Sequence, residues 1–129
     1  MDIARSGIIL NTEKYDDCVA FYRNLFGLRV LFQEQYGDFR LTCFAFDGSY
    51  LMVETGGYAM PEGKTSRHSA AKLRFNVADL AQALKEIRAY GIDAQIIDHD
   101  WGSTIDIFDP DGNRIGIRDE ATFKNQIDN

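Results

Sequence analysis

The 129-residue chain has little of what builds special-purpose sites: two cysteines, two prolines, two histidines and one tryptophan. Cys18 and Cys43 are too few for a disulfide framework, and both fall in apolar patterns where a free thiol acts as a small hydrophobic residue. No apolar stretch approaches the roughly 20 residues of a membrane span, and Met1 to Leu10 lacks an apolar segment of signal-peptide length. A reducing, cytoplasmic location is expected. Basic residues are the minority, 14 Lys and Arg against 20 Asp and Glu, for a formal net charge of −6. Such a chain repels phosphate backbones and anionic lipid, so neither nucleic acid nor membrane is expected as a partner. No GxSxG, CxxC or phosphate-loop string occurs. What remains, at 45% hydrophobic and 26% charged, is the composition of one globular domain that buries its own core.

The chain repeats itself at about half its length. Tyr15, Cys18, Val19, Tyr22, Leu25 and Phe26 recur at helical spacing, with Gly27 as a stop. Leu80, Ala83, Leu84, Ile87 and Tyr90 do the same before Gly91. The helical positions differ by 65 residues, and from the glycines onward the offset is 64. Around each helix lie short runs rich in β-branched and aromatic residues. They are Gly7 to Asn11, Leu28 to Gln33, Phe39 to Phe46 and Ser49 to Thr55, then Lys72 to Val77, Asp93 to His99, Ser103 to Phe108 and Arg114 to Asp119. Asp47-Gly48 and Asp111-Gly112-Asn113 read as matching hairpin turns. The pattern predicts an α+β fold of two paired βαβββ modules, residues 1–57 and 71–129, joined by a linker at 58–70, with a curved sheet around a cleft. A ferredoxin-like order lacks the third strand after each helix and fits less well. Thr12 reads as the cap of the first helix and Tyr22 as core.

Ala20-Phe21-Tyr22-Arg23-Asn24-Leu25-Phe26-Gly27-Leu28 resembles the FYR-x-x-LGL helix end of the glyoxalase, bleomycin-resistance and extradiol-dioxygenase superfamily, whose members are also called vicinal oxygen chelate proteins. Trp101-Gly102 followed by Phe108-Asp109-Pro110-Asp111-Gly112-Asn113 resembles its WG…F-x-DPDGN ending. The resemblance implies a divalent metal held by His or Glu from the first and last strand of each half. The matching positions are Gly7, Met52, Lys72 and Gly116. None of these supplies the oxygen or imidazole ligands that Zn, Mg, Mn or Fe requires, so no metal and no other cofactor is expected. Glu54 shares a face with Met52, since strand side chains repeat with period two. His68 and His99 lie in loop-like sequence and read as surface residues.

The same alternation sorts the other strands. Leu73, Phe75 and Val77 read as helix-facing, leaving Lys72, Arg74 and Asn76 toward the cleft. Ile115 and Ile117 read as helix-facing, leaving Arg114, Gly116 and Arg118. Leu41, Cys43 and Ala45 read as core, leaving Arg40, Thr42 and Phe44. The candidate ligand-binding residues are thus Arg40, Met52, Glu54, Lys72, Arg74, Trp101, Arg114 and Arg118, with Tyr50, Tyr58 and Phe44 as further aromatic walls. Arginine forks on one face point to an anionic ligand. The plainer alternative is that these cations are solvated at strand ends or paired with Glu54 or Asp106, and Trp101 a packing plug.

The resemblance implies a homodimeric, metal-independent small-molecule binder similar to bleomycin-resistance proteins, holding its ligand in the cleft between modules. An acidic surface suits a cationic ligand and an Arg-lined cleft an anionic one. The alternative is an enzyme, a glyoxalase-like lyase (lactoylglutathione lyase type) or dioxygenase with a displaced metal site, or a metal-free catalyst using Glu54 as general base. A regulatory module that keeps only the fold is a third possibility.

Overall fold

Two glycines set the first turns of the fold. In the structure, a computed structural model describing residues 1–129, helix α1 (Tyr15–Asn24) stops short of Gly27 at φ +65° and helix α2 (Leu80–Ala89) short of Gly91 at φ +95°. Glycine adopts this left-handed backbone without steric cost. Strand β1 (Gly7–Thr12) precedes α1, and β2 (Val30–Tyr36), β3 (Phe39–Phe46) and β4 (Ser49–Thr55) follow it. Strand β5 (Leu73–Val77) precedes α2, and β6 (Ile97–His99), β7 (Gly102–Phe108) and β8 (Arg114–Asp119) follow. The two sheets have the same topology, β1-β4-β3-β2 and β5-β8-β7-β6, with the first strand parallel to the last. This is the α+β pair of βαβββ halves that the repeat predicts. A third helix, α3 (Glu120–Asp128), ends the chain and has no counterpart in the sequence reading.

The chain divides into two compact units, Met1–Pro61 and Glu62–Asn129, so the 58–70 segment is shared between them. In the first, the Ala59 amide donates to Glu13 Oε1 at 2.9 Å. In the second, the Lys64 amide donates to the Gly112 carbonyl at 2.9 Å, and Lys64, only 7% exposed, reaches Asn113 Oδ1 at 3.2 Å. That lysine, placed by sequence in a linker, fastens the segment to the Asp109-to-Asn113 turn. Two strand limits move for visible reasons. The Leu28 amide closes the end of α1 on the Tyr22 carbonyl, so β2 begins only at Val30. The Ala94 carbonyl takes the Arg88 guanidinium, at 3.2 and 3.0 Å, so β6 is confined to Ile97–His99.

Register settles the faces. Thr42 pairs with Val53 and Phe44 with Leu51, all four fully buried. Tyr15 Oη of α1 lies 2.5 Å from Thr42 Oγ1, and the Tyr22 ring 6.5 Å from that of Phe44. Thr42 and Phe44 therefore face α1, and Leu41 and Cys43 face away, the reverse of the expectation for β3. The cause is turn length. Phe46 pairs with Ser49 across Asp47-Gly48, whereas in the second half the Asp109 amide bonds the Asn113 carbonyl, a loop one residue longer. Ile105 and Ile107, which pair with Ile117 and Ile115, thus correspond to Thr42 and Phe44 at an offset of 63, although β4 and β8 keep 64. Thr12 also departs from expectation: its hydroxyl donates to the Glu54 carbonyl at 2.9 Å, and Lys14 is the N-cap of α1, with no side-chain cap bond.

The first core comprises Cys18 and Tyr22 of α1 with Phe44, Leu51 and Val53, and the second comprises Leu80 and Ile87 of α2 with Leu73, Ile105, Ile107, Ile115 and Ile117. Phe44→Ala is expected to cost about 3–5 kcal/mol of unfolding free energy, measured by urea denaturation. Phe39→Ala, on the same strand but 37% exposed, should cost clearly less. Equal losses would contradict the face assignment.

Candidate functional site

Each sheet has one face under its helix and one face free of it. In the first unit, burial of Leu51 and Val53 turns Tyr50, Met52 and Glu54 of β4 to the free face, with Gly7, Ile9 and Asn11 of β1 beside them. The Tyr50 ring lies over Gly7, where an added Cβ would fall among its atoms. Glu54 accepts a hydrogen bond from Asn11 Nδ2 at 3.3 Å. Burial raises the pKa of the Cys43 thiol, which disfavours the nucleophilic thiolate.

In the second unit, burial of Ile115 and Ile117 turns Arg114, Gly116 and Arg118 to the free face, and their cross-strand partners Asp106 and Arg74 come with them. Lys72 Nζ pairs with Asp106 Oδ1 at 3.0 Å. A Cβ built on Gly116 would lie 3.1 Å from both Arg74 Nε and Lys72 Cε. The two side chains drape over the glycine, and Arg74 is exposed with no hydrogen bond or ion pair to its guanidinium.

Arg114 and Arg118 occupy the expected face, and each gives its Nη2 to a main-chain carbonyl while its Nε is buried without a hydrogen-bond partner. Arg114 Nη2 donates to the Ser69 carbonyl at 3.1 Å. Arg118, 5% exposed, donates through Nη2 to the Trp101 carbonyl at 2.9 Å, and its Cζ sits 4.7 Å from the Trp101 ring centre and 5.1 Å from that of Phe123 in α3. The Trp101 ring stacks on His99 at 4.4 Å, and His99 Nε2 is 3.0 Å from Thr104 Oγ1. Trp101, itself 42% exposed, lies between His99 and Arg118 at this end of β8. His68 is tied to its own loop through Thr65.

Arg40 is turned to the helix side by the β3 register. Its guanidinium pairs with Asp16 of α1 at 2.8 Å and lies 4.4 Å from the Tyr15 ring centre. The Asp16 carboxylate raises the Arg40 pKa further above its already high value. Phe44 is likewise core rather than wall, and Tyr58 is an exposed surface residue.

The residues at the four positions implied for a metal do not fit one. Gly7 lies under an aromatic ring, Gly116 lies under two cationic side chains, and Met52 and Lys72 offer a thioether and an ammonium. Within neither unit do three or more His, Cys, Asp or Glu side chains gather in a way that could hold a metal ion.

Residues 6–117 match the profile of the Glyoxalase/Bleomycin resistance protein/Dioxygenase superfamily. Among solved structures, the trypanothione-dependent glyoxalase I of Leishmania major superposes with a TM-score of 0.78 at 14% identity, covering 98% of this chain and 94% of that one. The fosfomycin resistance protein FosX of Listeria monocytogenes gives 0.74 at 16% identity, covering 92% and 94%, and has also been solved with Mn(II) and sulfate. A lactoylglutathione lyase from Agrobacterium tumefaciens gives 0.67 at 20% identity, covering 94% and 96%. At such identities the likeness establishes the fold. No curated protein sequence matches the chain. No helix is long and apolar enough to cross a membrane.

Asp119 ties β7 to α3: its carboxylate accepts the Ser103 amide at 2.8 Å and caps α3 through the Thr122 amide at 2.9 Å and hydroxyl at 2.7 Å. These bonds, the Ser103 amide first, lower its pKa from 3.8 to about 2. A depressed acid contributes stability that is full above its unfolded pKa and is lost as pH falls through the folded one. This contribution should therefore disappear between about pH 4 and pH 2. Asp119→Ala should cost about 1 kcal/mol near neutral pH, as loss of a helix cap does, and show a shallower decline of stability below pH 4 in chemical denaturation. An unchanged acid slope would place the stabilising bonds elsewhere.

Proposed function

The chain belongs to the Glyoxalase/Bleomycin resistance protein/Dioxygenase superfamily, and from that premise we propose that it is a small-molecule binding protein that works without a metal ion. The observation that carries this reading is the pair of glycines where the resemblance implies ligands. The Tyr50 ring fills the space above Gly7, and Lys72 and Arg74 fill the space above Gly116. A divalent cation beside Lys72 and Arg74 would meet like charge rather than donors. The free sheet faces offer instead what small-molecule sites commonly use, aromatic and aliphatic surface with a few placed polar groups. Glu54, fixed by Asn11 on such a face, supports a second reading, a metal-free catalyst with Glu54 as general base.

We also propose that the protein is a homodimer. Strand β1 is a sheet edge, and its Ile9 is 52% exposed, a surface that an assembled protein covers. A monomer mass by light scattering at micromolar concentration would overturn that proposal.

The metal reading is tested by elemental analysis of untagged protein and by melting curves with added Zn, Ni, Mn or Fe. Binding to the folded state alone would add about 2.7 kcal/mol at a hundredfold excess over Kd. The expected outcome is no stoichiometric metal and no gain. One equivalent of metal, lost on Glu54→Ala or His68→Ala, would return the protein to metal chemistry.

A further inference from the structure

The free face of the second sheet gathers positive charge in a chain whose net charge is −6. We infer that this face is a binding site for an oxyanion, the carboxylate or phosphate group of a small molecule, with Arg74 as its fork, Lys72 as the second cation and Gly116 as its floor. The inference rests on the metal-free binding reading and names the chemistry of the ligand.

Arg74 differs from its neighbours on the face. Arg114 and Arg118 donate to main-chain carbonyls and Lys72 pairs with Asp106, while the Arg74 guanidinium is exposed and engages no partner. A guanidinium has five N–H donors in a rigid plane that matches a carboxylate or phosphate edge. It is not an arginine trailing into solvent from a strand end. Arg74 Nε and Lys72 Cε each lie 3.1 Å from the same point above Gly116, so two cationic arms converge where any larger residue would push them apart. Asp106 neutralises one of the two charges. The second, that of Arg74, is left for a ligand, with the Lys72 ammonium beside it as a further hydrogen-bond donor. The positive excess also attracts anions to this face of an otherwise acidic protein.

The test uses the full-length protein, titrated with inorganic phosphate and, separately, with succinate, against sodium chloride at matched ionic strength. Binding is followed by amide chemical shifts and by melting temperature, with elemental analysis on the same sample. A saturable response beyond that of chloride is expected for at least one of the two. Response to phosphate alone assigns a tetrahedral group, and response to succinate alone a carboxylate. Arg74→Ala should weaken binding at least tenfold, and Arg74→Lys, which keeps the charge and loses the fork, should also weaken it, by less than Arg74→Ala. Gly116→Glu should abolish binding by placing a competing carboxylate between Lys72 and Arg74. That variant should fold, because the atoms nearest its Cβ belong to the flexible Lys72 and Arg74 side chains, which need shift by only a few tenths of an ångström, and the backbone there is not left-handed. Equal responses in wild type and Arg74→Ala, or none beyond chloride in wild type, would overturn the anion site. One equivalent of bound metal would instead overturn the reading beneath it.

Discussion

The structure depends on strands β4 and β8, each held between a parallel partner and an antiparallel one. In each, two aliphatic side chains two residues apart, Leu51 with Val53 and Ile115 with Ile117, are buried on the helix-covered side of the sheet. Exposing either pair would forfeit roughly 1.5–3 kcal/mol per side chain, so a one-residue slip is strongly disfavoured. The residue between them has no choice of side. Met52 and Gly116 are on the free faces because their neighbours are apolar, and every residue paired beside them inherits the same orientation.

That constraint explains which features were legible in the sequence. The helices, their glycine stops, the succession of strands along each half and the outward positions of Lys72 and Arg74 follow from periodicity, whereas Met52 is placed by the family resemblance and Glu54 by its period-two relation to Met52. Strand β3 did not yield to the same argument. Phe39-Arg40-Leu41-Thr42-Cys43-Phe44-Ala45-Phe46 is apolar on both faces, and alternation cannot choose between two apolar sets. The choice is made by pairing with β4 across a two-residue turn, and the repeat misleads there because the matching turn in the second half is one residue longer. Thr42 looks polar in sequence but is buried by its bonds with Tyr15 and Gln33.

The candidate site was half legible, for a different reason. Period two reveals on which face a cation stands, but not what its side chain meets there. Arg118 is buried between the Trp101 and Phe123 rings with Nη2 on a main-chain carbonyl and Nε without a partner, and a carbonyl leaves no mark in sequence. Helix α3 supplies part of that enclosure. Its apolar residues, Phe123 and Ile127, are too sparse for an amphipathic stripe, and none of its residues is buried. The one local signal was Asp119 three residues before Thr122, a capping arrangement at the end of an apolar strand. Lys64 escaped notice likewise, because a lysine among Gly, Pro and Ser reads as solvent-exposed until the Asp109-to-Asn113 turn folds beside it.

Seen in charge, the free face of the second sheet is the complement of a cation site. A carboxylate at position 116 would lie against Arg74 and Lys72 and neutralise them, and with glycine there the pair keeps its excess. Desolvating such a pair without a counter-charge is costly, which explains why Arg74 stays exposed while Arg118, supplied with a carbonyl and two rings, is buried. The same reasoning orders the cations of this face by what each can still do. Arg114 and Arg118 each give Nη2 to a main-chain carbonyl and keep Nε buried without a partner, Lys72 shares its charge with Asp106, and Arg74 brings an exposed fork with no internal partner to whatever meets the sheet. A ligand that binds there need displace no internal hydrogen bond of Arg74, so the fold itself bears little of the cost of binding.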